Sequence, residues 1–293
     1  MIEVCNLTKI YNTGKGVFNI DFTVNDGEVF GFLGPNGAGK TTTIRQLLGF
    51  TNATGGKCLI NGLDTRNKTD EINRDLGYLP GEIAFFDHMT GMDFLLFIAH
   101  LRGIKHPTRM DELISRFDLE ADRKLRKMSK GMKQKVALVS AFMHDPQILI
   151  LDEPTSGLDP LMQQRFIEMI IEEKKRGKTI LMSSHLFEEV ERTSDRVAII
   201  KDGRIVAIET VATLKAGARK TYRVSVGSEK DRDKIIASGL SVTEVAPLLF
   251  EIMIKNDFKE MFEVLRTVDV VNLESFEQTL EKVFIHYYEK GGN

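Results

Sequence analysis

The chain has 293 residues, 42% of them hydrophobic, and a formal net charge of -2. This length predicts one large domain or two, and the near-neutral charge excludes the global basic field typical of nucleic-acid-binding proteins. The cysteines, Cys5 and Cys58, lie in apolar strand-like runs without metal-ligand spacing, so we expect buried, reduced thiols. No apolar run approaches the ~20 residues that cross a bilayer, and no leader pattern opens the chain, so we expect a soluble, cytoplasmic protein.

The first 33 residues show the alternation of apolar and polar side chains that predicts antiparallel β-structure. Ile2 and Val4 alternate with polar residues near the start, and the pattern returns at 20–24. Tyr11 lies in a polar turn between two such strands. An exposed aromatic ring at that place could stack on a flat base, although a strand-end tyrosine more commonly packs locally.

A glycine-rich loop follows the apolar strand at 29–33 and precedes a helical pattern at 43–48. Its spacing is G-x-x-x-x-G-K-T, which is typical of a loop that wraps a phosphate with backbone N–H groups. The helix start adds unpaired N–H groups and a positive dipole end. Lys40 would reach the β- and γ-phosphates, and the Thr41 hydroxyl would bind Mg²⁺. The predicted phosphate-binding residues are Gly34, Pro35, Asn36, Gly37, Ala38, Gly39, Lys40, Thr41 and Thr42.

The next segments predict a short strand at 58–60, another at 76–79, and then a helical region from about 84 to 145. Phe94, Ile98 and Leu101 recur at helical spacing, and 113–119 predicts a second helix. This helical region separates the phosphate loop from the next strand.

That strand, at 148–153, contains four apolar residues followed by Asp152 and Glu153. An uninterrupted apolar strand indicates a parallel sheet covered on both faces, and ligands bind at the carboxyl ends of such strands. We expect Asp152 to lie in the Mg²⁺ shell and Glu153 to orient or deprotonate the attacking water.

The α/β pattern then repeats, with a helix at 160–176 and a strand at 179–183. His185 follows the carboxyl end of that strand, where it could hydrogen-bond a γ-phosphate. A hairpin over 197–208 turns at Asp202–Gly203.

Residues 218–293 change character, and a linker is predicted near 215–218. The pattern predicts the order β-α-β-β-α-β, a ferredoxin-like α+β domain, with strands at 241–246 and 249–254. A final helix is predicted from Ser275, because Gln278 is placed for a capping box. Its apolar stripe is best explained by packing onto this small domain, and it comprises Phe276, Leu280, Val283, Phe284 and Tyr287.

Over about 1–215 the chain resembles the ATP-binding subunits of ABC transporters. Residues 34–42 match the family's Walker A motif, and 148–153 match Walker B with the catalytic glutamate. The resemblance makes His185 the switch histidine, places Asp159 in the D-loop and gives Tyr11 the adenine-stacking position. Residues 128–132 lie where the family has L-S-G-G-Q, the element that contacts the γ-phosphate bound by the opposite subunit. Ser129 and Gly131 retain it.

Two departures from the family pattern are present. Met128, Lys130 and Met132 replace the other signature positions, a variant similar to the drug-export and antibiotic-resistance branch. Gly81 and Glu82 stand where a Q-loop glutamine is expected, and an oxygen of Glu82 could take its place near the metal.

The resemblance implies a P-loop NTPase core with a mixed sheet, an antiparallel β subdomain and a helical subdomain, carrying the C-terminal α+β domain. It implies ATP and Mg²⁺ as cofactors, with catalysis by Lys40, Glu153 and His185. It implies a second ATP-binding subunit, forming a homodimer, and a separate transmembrane permease that holds the protein at the inner face of the membrane. Hydrolysis would drive export of a drug, antibiotic or other small molecule.

Two alternatives remain at this point. A soluble ATPase of the same superfamily would act on ribosomes or DNA, but one ATPase half and near-neutral charge argue against it, and no nucleic acid is expected as a partner. A nucleotide-gated regulatory module, with the C-terminal domain as its reader, is opposed by Asp152, Glu153 and His185.

Overall fold

The computed structural model describes residues 1–86, 88–104, 108–217, 220–254 and 258–276. The chain divides into two compact units, Met1–Val211 and Ala212–Asn293. The elements of the first unit are, in chain order, β1 (Ile2–Ile10), β2 (Gly16–Val24), β3 (Val29–Leu33), α1 (Lys40–Leu47), β4 (Gly55–Ile60), β5 (Leu63–Asp64), α2 (Thr69–Arg74), β6 (Leu76–Leu79), α3 (Gly91–Leu101), α4 (Thr108–Arg116), α5 (Lys130–Phe142), β7 (Ile148–Asp152), α6 (Pro160–Lys175), β8 (Thr179–Ser184), α7 (Phe187–Thr193), β9 (Arg196–Lys201) and β10 (Arg204–Thr210). Helix α8 (Val211–Gly217) crosses the boundary between the units.

The central sheet of the first unit has the strand order β10-β9-β3-β8-β7-β6. Its neighbours are parallel except β9 and β10, which form an antiparallel hairpin, so the sheet is mixed. Every residue of β3, β7 and β8 is buried. The prediction of a parallel sheet covered on both faces is therefore confirmed for its central strands.

A second, antiparallel sheet has the order β2-β1-β4-β5. The alternating residues predicted to face a core are buried, with Ile2 and Val24 fully covered. The ring of Phe22 stacks on that of Phe30 at 5.2 Å, which joins this sheet to the core under β3. The predicted antiparallel β-structure is confirmed.

Three helices, α3, α4 and α5, occupy the region predicted to be helical. Thr90 starts α3 through a capping box with Asp93. The second predicted helix exists as α4, but it lies earlier in the chain than predicted. Leu113 lies within it, whereas the buried Phe117 and Leu119 follow its end at Arg116. Helix α1 begins at Lys40, three residues before the predicted helical pattern.

The second unit contains β11 (Lys220–Val226), α9 (Glu229–Ile236), β12 (Ser241–Ala246), β13 (Leu249–Ile254), α10 (Lys259–Leu265) and β14 (Val270–Phe276). Its sheet order is β12-β13-β11-β14 and all neighbours are antiparallel. The prediction that a helix starts at Ser275 is wrong, because Ser275 pairs with Tyr222 in this sheet. The rest of that predicted helix lies outside the described residues. The predicted linker falls partly on α8, and 218 is not described.

Candidate functional site

The phosphate-loop sequence forms a tight turn between the carboxyl end of β3 and the start of α1. Gly37 and Gly39 have φ values of 82° and 115°, a region that side chains with a Cβ rarely adopt. A Cβ on Gly34 would lie 2.6 Å from the carbonyl oxygen of Ile200, so the loop passes close to β9. No side chain caps α1, which leaves its first N–H groups directed at the loop, as an anion site requires.

Lys40 follows the phosphate loop, and its side chain turns back into that loop. Its Nζ donates to the carbonyl oxygens of Gly34 at 2.7 Å and Pro35 at 3.2 Å, and its side chain is buried. The same Nζ lies 3.2 Å from Glu153 Oε1. His185 Nδ1 lies 3.4 Å from Glu153 Oε2. The three residues predicted to be catalytic are therefore joined in one chain of contacts.

Glu153 follows β7 with a φ of 49°, in the left-handed region that costs energy for a residue with a side chain. Two hydrogen bonds from its backbone N–H hold this geometry, one to Ser183 O at 3.2 Å and one to Ser183 Oγ at 3.1 Å. Strain of this kind at the end of a buried strand is typical of a residue placed for chemistry.

Asp152 has a free oxygen in a fully buried place. Its Oδ1 accepts a hydrogen bond from Ser183 Oγ at 2.5 Å, while Oδ2 has no hydrogen-bond partner. An orphaned buried carboxylate oxygen fits a cation that would bind there. Thr41, Glu82 and Glu153 line the same cavity, of about 520 Å³, as Asp152.

The donor set suits Mg²⁺ better than a cation that needs a full protein cage. Among the residues the structure describes, no three His, Cys, Asp or Glu side chains form a metal-holding group. Mg²⁺ commonly takes one or two protein oxygens and completes its shell with water and substrate phosphates. Thr41 and Asp152 could supply those protein oxygens.

Tyr11 lies at the mouth of the phosphate loop. It lines a cavity of about 210 Å³ together with Asn36, Lys40 and Thr42. Its side chain is 39% exposed, and Lys9 Nζ lies 5.7 Å from its ring centroid. An accessible ring beside a phosphate site fits the predicted stacking on a base.

The signature element forms the start of α5. Ser129 caps this helix through Oγ, which accepts from Met132 N, and Lys130 Nζ donates to Ser156 Oγ at 2.9 Å. Asp159 similarly caps α6 through Met162 N at 3.0 Å. Within the described part of the chain, Ser129, Gly131 and Asp159 line neither of the two cavities at the phosphate loop.

Several residues around the site belong to no motif and were not predicted from the sequence. Tyr78 lines the Asp152 cavity, and burial together with the charge of Asp152 raises its pKa to about 12. The last two residues of β8 are Ser183 and Ser184. Polar residues at the end of an apolar strand are the sequence signal that could have identified them. No sequence signal marks Glu189, which is buried beneath Ser184.

Comparison with known proteins agrees with this geometry. A family model described as ABC transporter matches residues 17–156. An uncharacterised ABC transporter ATP-binding protein of Nostoc sp. (strain PCC 7120) is 33% identical over 307 residues, covering 99% of this chain and 90% of that protein. The chain belongs to the ABC transporter ATP-binding proteins.

Two further relatives extend the comparison. The bacitracin transport ATP-binding protein BcrA of Bacillus licheniformis is 38% identical over 225 residues, which cover 75% of this chain and 73% of that protein. A solved ATP-binding subunit of an ABC transporter has a TM-score of 0.67 and 32% identity, covering 73% of this chain and 92% of its own. As a member of this family the chain is an ATPase. The family resemblance noted in the sequence is confirmed, and none of the described helices has the length and apolar character to traverse a bilayer.

Proposed function

We propose that this ATPase binds MgATP at the phosphate loop and powers a separate transmembrane permease that exports a drug, antibiotic or other small molecule. The observation that carries the hydrolytic part is the contact chain from Lys40 through Glu153 to His185, beside the orphaned oxygen of Asp152. The similarity to BcrA, a bacitracin transport ATP-binding protein, supports the choice of substrate class.

Each residue has a role that its position allows. Lys40 binds the β- and γ-phosphates, Glu153 accepts a proton from the attacking water, and His185 hydrogen-bonds the γ-phosphate. Thr41 and Asp152, with Glu82 nearby, would hold Mg²⁺, which would supply charge neutralisation at the phosphates. Tyr11 stacks on the adenine. The remaining phosphate contacts come from the backbone of 34–42.

A second subunit completes the site. Ser129 and Gly131 lie at the start of α5 and line neither cavity of their own chain, although Lys130 between them lines the Asp152 cavity. Their place in the family's signature element supports contact with the γ-phosphate on another subunit. Asp159 begins α6 two residues after Gly157, whose carbonyl oxygen lies against the start of α5. We infer a homodimer with each ATP between the phosphate loop of one copy and the 129–131 element of the other.

An exposed aromatic surface fits the permease. Phe86 is 51% exposed, and its ring centroid lies 6.1 Å from that of Phe97 on α3. Leu101, one turn further along α3, is also exposed. Adjacent exposed apolar side chains of this kind commonly mark a protein contact. The permease would hold the chain at the cytoplasmic face of the membrane.

The two parts of the chain have separate roles in this proposal. Residues 1–215 form the ATP-binding domain, with a helical subdomain over about 84–145. Residues 218–293 form an accessory domain, for which the strand order β12-β13-β11-β14 with two helices supports a ferredoxin-like arrangement.

The test is recovery of tagged protein from detergent-solubilised native membranes, with mass spectrometry of its partners. We expect a polytopic membrane protein in near-stoichiometric amount, and roughly tenfold less of it with Phe97→Asp, since a charge there disrupts an apolar contact. Phe262→Asp, at a similarly exposed phenylalanine of the second unit, is the matched control and should keep the partner. Recovery alone, or with ribosomes or DNA, would favour a soluble ATPase instead.

A further inference from the structure

The carboxyl end of β8 connects the phosphate loop with the helix behind it. The carbonyl oxygen of Ser184 accepts a hydrogen bond from Gly34 N at 3.4 Å, at the first residue of the phosphate loop. The Ser184 hydroxyl accepts from Leu186 N at 2.9 Å and thereby spans His185. The position of the Ser184 side chain therefore fixes the turn that carries His185.

Glu189 holds that hydroxyl from below. Ser184 Oγ donates to Glu189 Oε2 at 2.5 Å, and the Glu189 side chain, on α7, is almost completely buried. Its second oxygen, Oε1, is also buried. Among the described residues no cation is paired with this carboxyl group, so its charge is not balanced by an ion pair.

Glu173 is a buried glutamate of the same chain whose negative charge is balanced by cations. It is equally buried, but Lys178 and Arg109 contact its carboxylate. Burial raises its pKa, yet hydrogen bonds from those two cations outweigh burial and leave the pKa below its ordinary value. Among the described residues, Glu189 therefore lacks the cation partners that stabilise the charge of Glu173.

The groups that face Glu189 explain its proton affinity. Burial raises its pKa to about 7, hydrogen bonds from Ser184 and Thr155 lower it, and the negative charge of Glu153 raises it. Glu153 is the charged group that acts on it from the catalytic edge of the sheet. Glu189 therefore exchanges its proton in the neutral range, next to the site of hydrolysis.

We propose that Glu189 is a positioning residue of the ATPase site, whose ionised carboxylate holds Ser184 and, through the 184–186 turn, the imidazole of His185 against Glu153. The inference rests on the proposed roles of Glu153 and His185. Protonation of Glu189 weakens this hold, because a hydrogen bond to a neutral carboxyl is weaker than one to a carboxylate.

The hold on Ser184 is therefore strongest when Glu189 is ionised. Turnover should rise with pH over the range in which Glu189 loses its proton.

The experiment compares steady-state ATPase rates of wild type and Glu189→Gln from about pH 5.5 to about pH 8.5. Glutamine keeps the shape and the acceptor oxygen but cannot ionise. We expect the wild-type kcat to contain a component that rises near pH 7 and that Glu189→Gln lacks, leaving the variant about tenfold slower at the alkaline end. The KM for ATP should stay within about twofold, because the phosphate loop contacts the Ser184 backbone and not its side chain.

Glu173→Gln is the matched control, because it also neutralises a buried glutamate. The Glu173 carboxylate contacts Arg109 and Lys178 and not the 184–186 turn. It should lower stability and leave the shape of the pH profile unchanged. Titration of ATP, and of other groups in the protein, is common to all variants, so the difference between profiles isolates Glu189.

The inference is overturned if the profiles of wild type and Glu189→Gln superimpose, or if the variant is slower by one constant factor at every pH, as a merely structural residue would give. Should Glu189→Gln fail to fold, Ser184→Ala removes the hydroxyl from the other end of the hydrogen bond, and an unchanged pH component there overturns it equally. Turnover by Glu153→Gln tests the proposed function separately: full activity there refutes the catalytic assignment, whatever the Glu189 profiles show.

Discussion

Two buried titratable residues of the first unit, Glu189 and His144, make stability depend on pH in opposite directions. Glu189 keeps its proton in the folded chain up to about pH 7, whereas the unfolded carboxyl ionises near 4.5, so stability falls as pH rises between those values. His144 is the reverse case. Burial, together with the charge of Arg102, lowers the pKa of His144 from 6.5 to about 4. Between these two pH values His144 is neutral in the folded chain and protonated in the unfolded chain.

For His144 the sign gives a direct prediction. The stability contribution is complete above pH 6.5 and is lost as pH falls toward about 4, by about 2 kcal/mol once solvent screening is allowed for. His144→Gln keeps a donor for the Leu76 carbonyl oxygen, which lies 3.2 Å from Nε2, but does not titrate. Melting temperatures across this range should fall less steeply for the variant. His100→Gln, at an exposed histidine, should follow wild type; equal slopes for all three proteins would contradict the prediction.

At the scale of elements, the start of α5 is packed against the loop before α6. A Cβ on Gly131 would lie 2.4 Å from the carbonyl oxygen of Gly157, so the two backbones touch. Gly131→Ala must push helix and loop apart, displacing the Ser129 end of α5. Because displacements near 1 Å can cost about a hundredfold in rate, we expect ATPase activity to fall by at least roughly tenfold.

The matched control for that variant is Gly55→Ala in β4. The added Cβ there would meet only ordinary contact, 3.9 Å from Thr8 Cβ. ATPase assays with melting curves on both variants distinguish the local displacement from general loss of folding. Activity of Gly131→Ala equal to that of Gly55→Ala would show that the contact is unimportant.

The same scale shows what could be predicted from the sequence. The strands at 241–246 and 249–254 match because a turn separates two alternating runs. Helices α2 and α7 were missed because six or seven residues span less than two full turns and give little periodicity. The capping pattern at Ser275 predicts a helix, but pairing with Tyr222 places that residue in a strand, so tertiary contacts override the local signal.

For the site, the motif residues were predictable because each motif is contiguous in sequence. Lys40, Glu153 and His185 belong to three motifs, and the parallel order of β3, β8 and β7 brings them together at one sheet edge. The contact of Glu189 with Ser184 could not be predicted in this way. It depends on the angle at which α7 returns under β8, and the proton affinity of Glu189 depends on burial.

At the scale of the whole molecule, a formal net charge of -2 presents little electrostatic barrier to the meeting of two copies. In the proposed dimer the γ-phosphate bridges two surfaces that otherwise attract weakly, so hydrolysis releases them. We therefore expect Glu153→Gln to bind ATP, lose turnover and elute as a dimer in ATP. Size-exclusion chromatography with light scattering measures this directly.

Lys40→Ala is the control for that measurement, because it should abolish ATP turnover and remain monomeric in ATP. Its loss removes the cation at the β- and γ-phosphates along with its hydrogen bonds to Gly34 and Pro35. Normal turnover by Glu153→Gln would remove Glu153 as the catalytic residue. A dimer that forms equally without ATP would remove the γ-phosphate as the bridge.

The adjacent serines at the end of β8 have a consequence for how this segment tolerates length changes. Side chains alternate along a strand, so Ser183 faces Asp152 on one side of the sheet and Ser184 faces Glu189 on the other. Insertion or deletion of one residue within β8 would exchange the faces of both hydroxyls at once. A point substitution here can therefore remove one of the two hydrogen bonds and leave the other. Insertion or deletion of a single residue should remove both hydrogen bonds together.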